Sequence, residues 1–169
     1  YNLGFIYDNG EDVPQDYAKA FEWFSKAAEQ GHADAQGVVG FAYTLGLGVP
    51  KDYAKAFEWY RKAAQQGSAA PQCIVGNIYA AGEGVPQDYA KAFEWCRKAA
   101  EQGHTKAQYI LGLMYEEGEG VSRDYAKAFE WVSKAAEQGY AGSQCSLGVM
   151  YEHGQGVPQD YEKAFEWYS

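Results

Sequence analysis

Three histidines, His32, His104 and His153, are the side chains of this chain best suited to hold a metal ion or to transfer a proton. Zinc sites usually draw two ligands from one loop or one helical turn, and no histidine or cysteine here has such a neighbour. His32 and His104 both follow a Gln-Gly dipeptide of the kind that ends helices. We therefore interpret them as surface or helix-capping residues and expect no metal site.

Motifs for phosphate or nucleophilic chemistry are incomplete as well. The string Gly46-x-Gly48 recurs three more times, but no Gly-Lys-Ser or Gly-Lys-Thr follows it, and the next helix would begin at an aspartate that repels phosphate. No serine is followed three positions later by lysine, as in acylating serine enzymes. The sequence thus predicts turns rather than a phosphate loop, no cofactor and no enzymatic activity.

The elements that would position any site repeat along the chain. The octapeptide Asp-Tyr-Ala-Lys-Ala-Phe-Glu-Trp begins at Asp16, Asp52, Asp88 and Asp124, and a fifth copy beginning at Asp160 differs at one position. Neighbouring copies are 36 residues apart, since 52 − 16 = 36. This period is typical of solenoids, in which each unit buries its apolar face against the next. We predict a single array over residues 1–169 with repeats 1–31, 32–67, 68–103, 104–139 and 140–169, the first and last truncated.

Each repeat should form two antiparallel helices. In the second repeat, apolar residues recur at three- and four-residue spacing over about 34–45 (helix A) and 53–65 (helix B). Asp52 precedes helix B as an N-cap, and Gly67 follows it at the position of a left-handed C-cap. The prediction is an all-α fold: an α/α right-handed superhelix (solenoid) of 36-residue helix-turn-helix repeats, with ten helices.

Two features of helix B follow the same period. Glu58 and Lys62 are spaced to form an i,i+4 ion pair. Equivalent pairs are Glu22–Lys26, Glu94–Lys98 and Glu130–Lys134. Tryptophans occupy one position in every repeat, at 23, 59, 95, 131 and 167, which indicates a core role rather than a ligand-stacking platform. Replacing Trp95 by alanine is then expected to cost roughly 3–5 kcal/mol.

The pattern Ala-Gln-x-x-Leu/Val-Gly-x-x-Tyr, then Gly-x-Gly-Val-Pro-x-Asp-Tyr, Lys-Ala-x-x-Trp and Lys-Ala-Ala-x-x-Gly resembles the Sel1-like repeat family, a relative of the tetratricopeptide repeats, over the whole chain. Asp12 replaces the second turn glycine and Ser122 the turn proline. Pro71 and Ser143 replace an alanine of helix A. The resemblance implies a superhelix that binds or scaffolds other proteins, often in bacterial signalling, secretion or host contact.

Three cysteines are too few for a disulfide scaffold. Cys73 and Cys145 share one position two repeats apart, which exceeds the reach of a disulfide. Cys73 and Cys96 belong to one repeat and could lie at similar heights on antiparallel helices, so this pairing stays open. Three thiols are the simpler interpretation.

Positions that vary within a constant framework are where repeat arrays usually bind their partners. Helix B barely changes between repeats, whereas helix A varies at three positions spaced i, i+4 and i+7, on one helical face. First helices line the concave side of α/α superhelices, so this face should form a protein-binding groove, unless part of it packs against the neighbouring repeat. The predicted groove residues are Tyr1, Phe5, Phe41, Asn77, Tyr109, Leu113, Glu116 and Val149.

The net charge and the positions of the acidic residues indicate which classes of partner the chain can bind. The net charge of -9 disfavours nucleic acid and anionic membranes, and no apolar run reaches the roughly 20 residues of a membrane span. Acidic residues gather near the turn between helices A and B: Asp8, Glu11, Asp12, Glu83, Glu116, Glu117, Glu119 and Glu152. This edge would attract a protein or peptide that bears Lys or Arg. The alternative is a surface that serves solubility alone.

The sequence therefore predicts a non-catalytic scaffold or adaptor that binds a peptide or protein through helix A. The alternative is a spacer or regulatory module of a longer protein, without a ligand of its own, because the chain begins and ends within a repeat. Self-association through the truncated ends is a further prediction. Replacing Tyr109 and Leu113 together by alanine should weaken partner binding with little change in melting temperature.

Overall fold

The computed structural model describes residues 1–10 and 13–168, and every regular element in that part of the chain is an α-helix. The helices are α1 (Asn2–Asn9), α2 (Tyr17–Glu29), α3 (Ala33–Leu45), α4 (Tyr53–Gln65), α5 (Ala69–Ala81), α6 (Tyr89–Glu101), α7 (Thr105–Glu117), α8 (Tyr125–Glu137), α9 (Ala141–His153) and α10 (Tyr161–Tyr168). Odd-numbered helices are the A helices of the five repeats and even-numbered ones the B helices. The all-α prediction is confirmed. None of the described helices combines the length and apolar character that crossing a membrane requires.

The helices form two compact units, Tyr1–Gln87 with α1–α5 and Asp88–Ser169 with α6–α10. Within the first unit each helix packs on its neighbours in chain order, α1 on α2, α2 on α3, and so on to α5. Helices α6 to α10 pack in the same sequential way within the second unit. Nearest-neighbour packing of this kind is what a solenoid repeat predicts.

The N-terminus of each B helix is fixed by its aspartate. The Asp52 carboxylate accepts a hydrogen bond from the Lys55 backbone amide at 3.0 Å, and this bond lowers the pKa of Asp52 below its usual range. The same cap recurs at Asp16, Asp88, Asp124 and Asp160. The predicted N-caps are confirmed.

The residue after the tryptophan is enclosed in the first four repeats, whereas the equivalent Tyr168 of the fifth is 48% exposed. Phe24, Tyr60, Cys96 and Val132 at this position are all buried. Within the two units these side chains face a glycine of helix A: a Cβ added to Gly4, Gly40 or Gly112 would press on Phe24, Tyr60 or Val132 respectively. Small and large residues therefore alternate across the helix pair, as close packing requires.

The tryptophans themselves lie at the edge of the core and are half-buried. A lysine three residues later covers the ring: Lys62 Nζ lies 3.9 Å from the Trp59 ring centroid, and Lys134 Nζ 4.2 Å from that of Trp131. This geometry is a cation–π contact. The sequence-based placement of the indoles in the core is thus right only in part, because the enclosed position is the next one.

The ion pairs of helix B differ between repeats. Glu22–Lys26 and Glu130–Lys134 form as predicted, at 2.6 and 2.7 Å. Glu58 and Glu94 instead pair with the arginines three residues later, Arg61 at 2.7 Å and Arg97 at 3.3 Å. The other three repeats have serine at the arginine position. The planar guanidinium group of arginine fits a carboxylate better than the ammonium group of lysine does. The glutamate therefore pairs with arginine where the repeat has one.

The turn between helices A and B packs against the preceding repeat. Gly120 has φ +72°, and a Cβ there would overlap the Tyr89 carbonyl oxygen at the start of α6. Gly48 and Gly156 make the same close approach to Tyr17 and Tyr125. The second turn glycine is therefore needed for contact between repeats as well as for the turn. The equivalent Asp12, with its neighbour Glu11, lies outside the described residues.

A relay of buried glutamines connects the repeats near the C-terminal ends of the B helices. Gln108 Nε2 donates to the Ala100 carbonyl at 3.3 Å, and Gln108 Oε1 accepts from Gln138 Nε2 at 2.6 Å. Gln36 repeats both bonds in the first unit, with Ala28 and Gln66. Each buried glutamine thus links the B helix of the preceding repeat to the B helix of its own repeat.

Replacing Gln108 by leucine should lower the free energy of unfolding by about 1 kcal/mol, because its hydrogen bonds with the Ala100 carbonyl and with Gln138 are both lost. Urea denaturation of the variant and wild type measures the difference. Gln65→Leu is the control, since Gln65 is exposed. Equal losses of stability in the two variants would contradict the relay.

Candidate functional site

Two apolar clefts lie along the A helices of the first unit. The first, of about 500 Å³, lies between α1 and α3 with α2 as its floor. The second, of about 360 Å³, lies between α3 and α5 with α4 as its floor. Phe41 lines both clefts, so the two form neighbouring parts of one surface.

The predicted groove residues of the first unit meet at these clefts. Phe5 lines the first cleft and is 38% exposed, while Phe41 is 51% exposed. Asn77 lines the second cleft beside Ile74, and Val38 lines the first. Val38 and Ile74 were not among the predicted groove residues, although they lie three residues before Phe41 and Asn77, a spacing that places them on the same helical face.

The first of the three variable helix A positions comprises Tyr1, Gly37, Cys73, Tyr109 and Cys145. Part of the surface at this position packs against the next repeat. Tyr1 stacks on His32 with ring centroids 4.3 Å apart, and Tyr109 lies 5.1 Å from the Tyr140 ring. His32 and Tyr140 occupy the same place, directly before an A helix. Cys73, a third member of this position, is buried. The alternative to a binding groove, packing between repeats, therefore applies at this position.

The second unit places the remaining predicted residues on its own A helices. Leu113 and Glu116 lie half-buried on α7, and Val149 on α9 is 38% exposed. Burial raises the pKa of Glu116, and the nearby Glu117 charge adds to this. A groove that contains all eight predicted residues remains a prediction. Phe5, Phe41 and Asn77 are the members that line these two clefts, and Tyr1 lines a further cleft with Phe41.

All three histidines lie at helix ends, and two of them act as N-caps. His104 Nδ1 accepts a hydrogen bond from the Ala107 amide at 3.2 Å, and His32 Nδ1 accepts from Ala35 at 3.4 Å. His153 is exposed near the end of α9. The capping interpretation is confirmed for His32 and His104. Within residues 1–10 and 13–168, no group of His, Cys, Asp or Glu side chains is arranged to hold a metal ion.

The His104 cap should make stability depend on pH. Burial lowers the pKa of His104 below 6.5, so the unfolded chain takes up a proton that the folded chain excludes. The contribution of the neutral His104 cap to the free energy of unfolding is therefore complete above about pH 6.5 and decreases as the pH falls below that value. We expect His104→Asn, which keeps a capping side chain, to lose less stability than wild type between about pH 7.5 and 5.5. Urea midpoints measure this, and identical pH dependence in both proteins would contradict it.

The three cysteines are present as thiols. Cys73 and Cys96 are buried and Cys145 is exposed. Cys96 occupies the enclosed position that Phe24 and Tyr60 hold in other repeats, which gives it a packing role.

Comparison with known proteins agrees with the repeat pattern. The sequence profile of the Sel1 repeat matches residues 1–32, 33–68, 72–104, 105–140 and 141–169. The structure of c5321, a protective antigen of uropathogenic Escherichia coli that displays an SLR fold, is 46% identical with a TM-score of 0.96. That match covers 99% of this chain and 36% of the antigen. No curated protein matches the chain significantly.

Two further structures extend the comparison. A Sel1 repeat protein from Oxalobacter formigenes is 37% identical with a TM-score of 0.95, and the match covers 99% of this chain and 69% of the other. Cysteine rich protein B of Helicobacter pylori is 25% identical with a TM-score of 0.61, covering 82% and 98% respectively. This chain thus spans about a third of the first relative and about two thirds of the second. It belongs to the Sel1 repeat family, whose members generally act in protein–protein interaction.

Proposed function

We propose that this chain is a non-catalytic adaptor that binds a segment of another protein in the two clefts of its first unit. The observation that supports this most strongly is the exposure of Phe5 and Phe41 within apolar clefts. Aromatic side chains in concave sites are the usual anchors of protein interfaces. An exposed aromatic in a cleft leaves apolar area that a partner can remove from water.

The clefts are also suited to binding because their floors are already packed. Phe24 and Tyr60 form part of the floors and are only 3% and 5% exposed. Rings held in place before binding lose little conformational entropy when a partner arrives. The variable residues of helix A thus stand on a floor that is already ordered before a partner binds.

A displayed library of random dodecapeptides, selected on the wild-type chain, tests the proposal. Selected peptides should bind Phe41→Ala at least about 10-fold more weakly, because an interface anchor contributes roughly 2 kcal/mol or more. Phe165→Ala is the matched control, since Phe165 is 73% exposed on α10 and lines neither cleft.

Two outcomes would contradict this function. Peptides that bind Phe41→Ala as tightly as wild type would place the binding surface elsewhere. Peptides that lose affinity for Phe165→Ala instead would indicate that the exposed face of α10 is the binding surface. A selection that enriches no peptide would favour the spacer or regulatory alternative.

A further inference from the structure

The second cleft of the first unit combines apolar walls with polar groups. Phe41, Tyr53 and Tyr60 supply aromatic rings, and Ile74 and Ile78 supply aliphatic surface. Asn77 and Glu83 line the same cleft. An apolar cleft with a few polar groups that reach one ligand is the usual design of a specific binding site.

This pairing of amide and carboxylate occurs in one repeat only. The positions equivalent to Asn77 hold Phe5, Phe41, Leu113 and Val149, which are all apolar. The position equivalent to Glu83 holds leucine in the second repeat and glutamine in the fifth. In the first and fourth repeats a glutamate there is combined with Phe5 or Leu113. Only the third repeat therefore places an amide beside an acid.

The Asn77 side-chain amide can form hydrogen bonds with a ligand. No hydrogen bond to the described residues engages it, whereas Thr44 in the same cleft donates to the Gly40 carbonyl at 3.0 Å. Asn77 is half-buried and Glu83 is exposed, so a ligand in the cleft can donate hydrogen bonds to both side chains.

We propose that the second cleft binds an arginine side chain of the partner protein. A guanidinium group donates several hydrogen bonds in one plane, to the Glu83 carboxylate and to Asn77 Oδ1. The same plane stacks on the rings of Phe41 and Tyr53, and the three-carbon stem lies against the apolar walls. A cationic ligand also suits a chain with a net charge of -9. This inference rests on the proposed function and names the chemistry of its partner.

Nuclear magnetic resonance titration with N-acetyl-arginine amide tests the inference, with the citrulline analogue as a neutral isostere and the lysine analogue as a second cation. The arginine compound should shift the Asn77 side-chain amide and the Ile74 and Ile78 methyl signals. Its affinity should exceed that of the citrulline compound by about 10-fold or more, the usual gain from charge-assisted hydrogen bonds. The lysine compound should bind more weakly than arginine, since it cannot donate in a plane.

Variants that use residues already present in other repeats keep the fold intact. Asn77→Leu copies Leu113 of the fourth repeat, and Glu83→Gln copies Gln155 of the fifth. Each should weaken the arginine compound about 5-fold or more, because one hydrogen-bonding partner or the charge is lost. Glu119→Gln, the equivalent change in the second unit, should leave its affinity unchanged.

The outcomes separate this inference from the proposed function. Equal affinity for the arginine and citrulline compounds, or no shift at Asn77, would overturn the arginine pocket. Selected dodecapeptides that still need Phe41 would in that case keep the binding function. Dodecapeptides that bind wild type and Glu83→Gln equally well would overturn the pocket in the same way.

Discussion

Gly120→Ala is expected to destabilise the second unit by about 3 kcal/mol or more. An added Cβ would overlap the Tyr89 carbonyl oxygen, a backbone atom that cannot move without shifting α6. The positive φ of +72° adds strain of about 1 kcal/mol for a residue with a side chain. The two effects act together because the turn both reverses the chain and packs against the preceding repeat.

The control for this variant is Gly139→Ala. Gly139 has φ +82°, but a Cβ there would meet no heavy atom within 4 Å. We expect the control to cost only the backbone strain, about 1 kcal/mol. Guanidinium denaturation gives both values. If Gly139→Ala were as destabilising as Gly120→Ala, the contact between the turn and α6 would have no energetic role.

Phe24→Ala should lower the free energy of unfolding by about 3–5 kcal/mol, as truncation of an enclosed aromatic does. Phe24 is 3% exposed and packs in edge-to-face geometry with Tyr1 and Phe5, at 5.8 and 5.1 Å between ring centroids. Because Gly4 lies against the ring, the neighbouring helix can fill the cavity only by moving as a whole.

Thermal or chemical denaturation of Phe24→Ala and Phe165→Ala measures this effect. Phe165 is 73% exposed, so its truncation should cost less than about 0.5 kcal/mol. Trp23→Ala should fall between the two, since the indole is half-buried. A Trp23→Ala cost greater than that of Phe24→Ala would restore the sequence-based view that the tryptophan is the enclosed residue.

The period made the helices and their ends predictable. Helix B of the second repeat begins at Tyr53 and ends at Gln65 as expected, because Asp52 and Gly67 act through local hydrogen bonds and backbone geometry. The enclosed residue after the tryptophan in the first four repeats was not predictable in this way. Its type changes from Phe24 to Val132, and its burial depends on a glycine in another helix.

The binding face could be predicted only in part. The spacing of Phe5 and Phe41 places them on the exposed side of helix A, since that depends on helical geometry alone. Whether Tyr1 or Tyr109 is available depends on the residue before the next A helix, His32 or Tyr140. Contacts between repeats follow from side-chain shape, which periodicity does not contain.

Chemical-shift mapping of a selected dodecapeptide on the labelled chain tests the central claim most directly. The proposal predicts that the largest shifts fall on the cleft residues of the A helices, at Phe5, Phe41 and Ile74. Shifts concentrated instead on the exposed side of the B helices, around Glu22 and Glu58, would contradict binding through helix A.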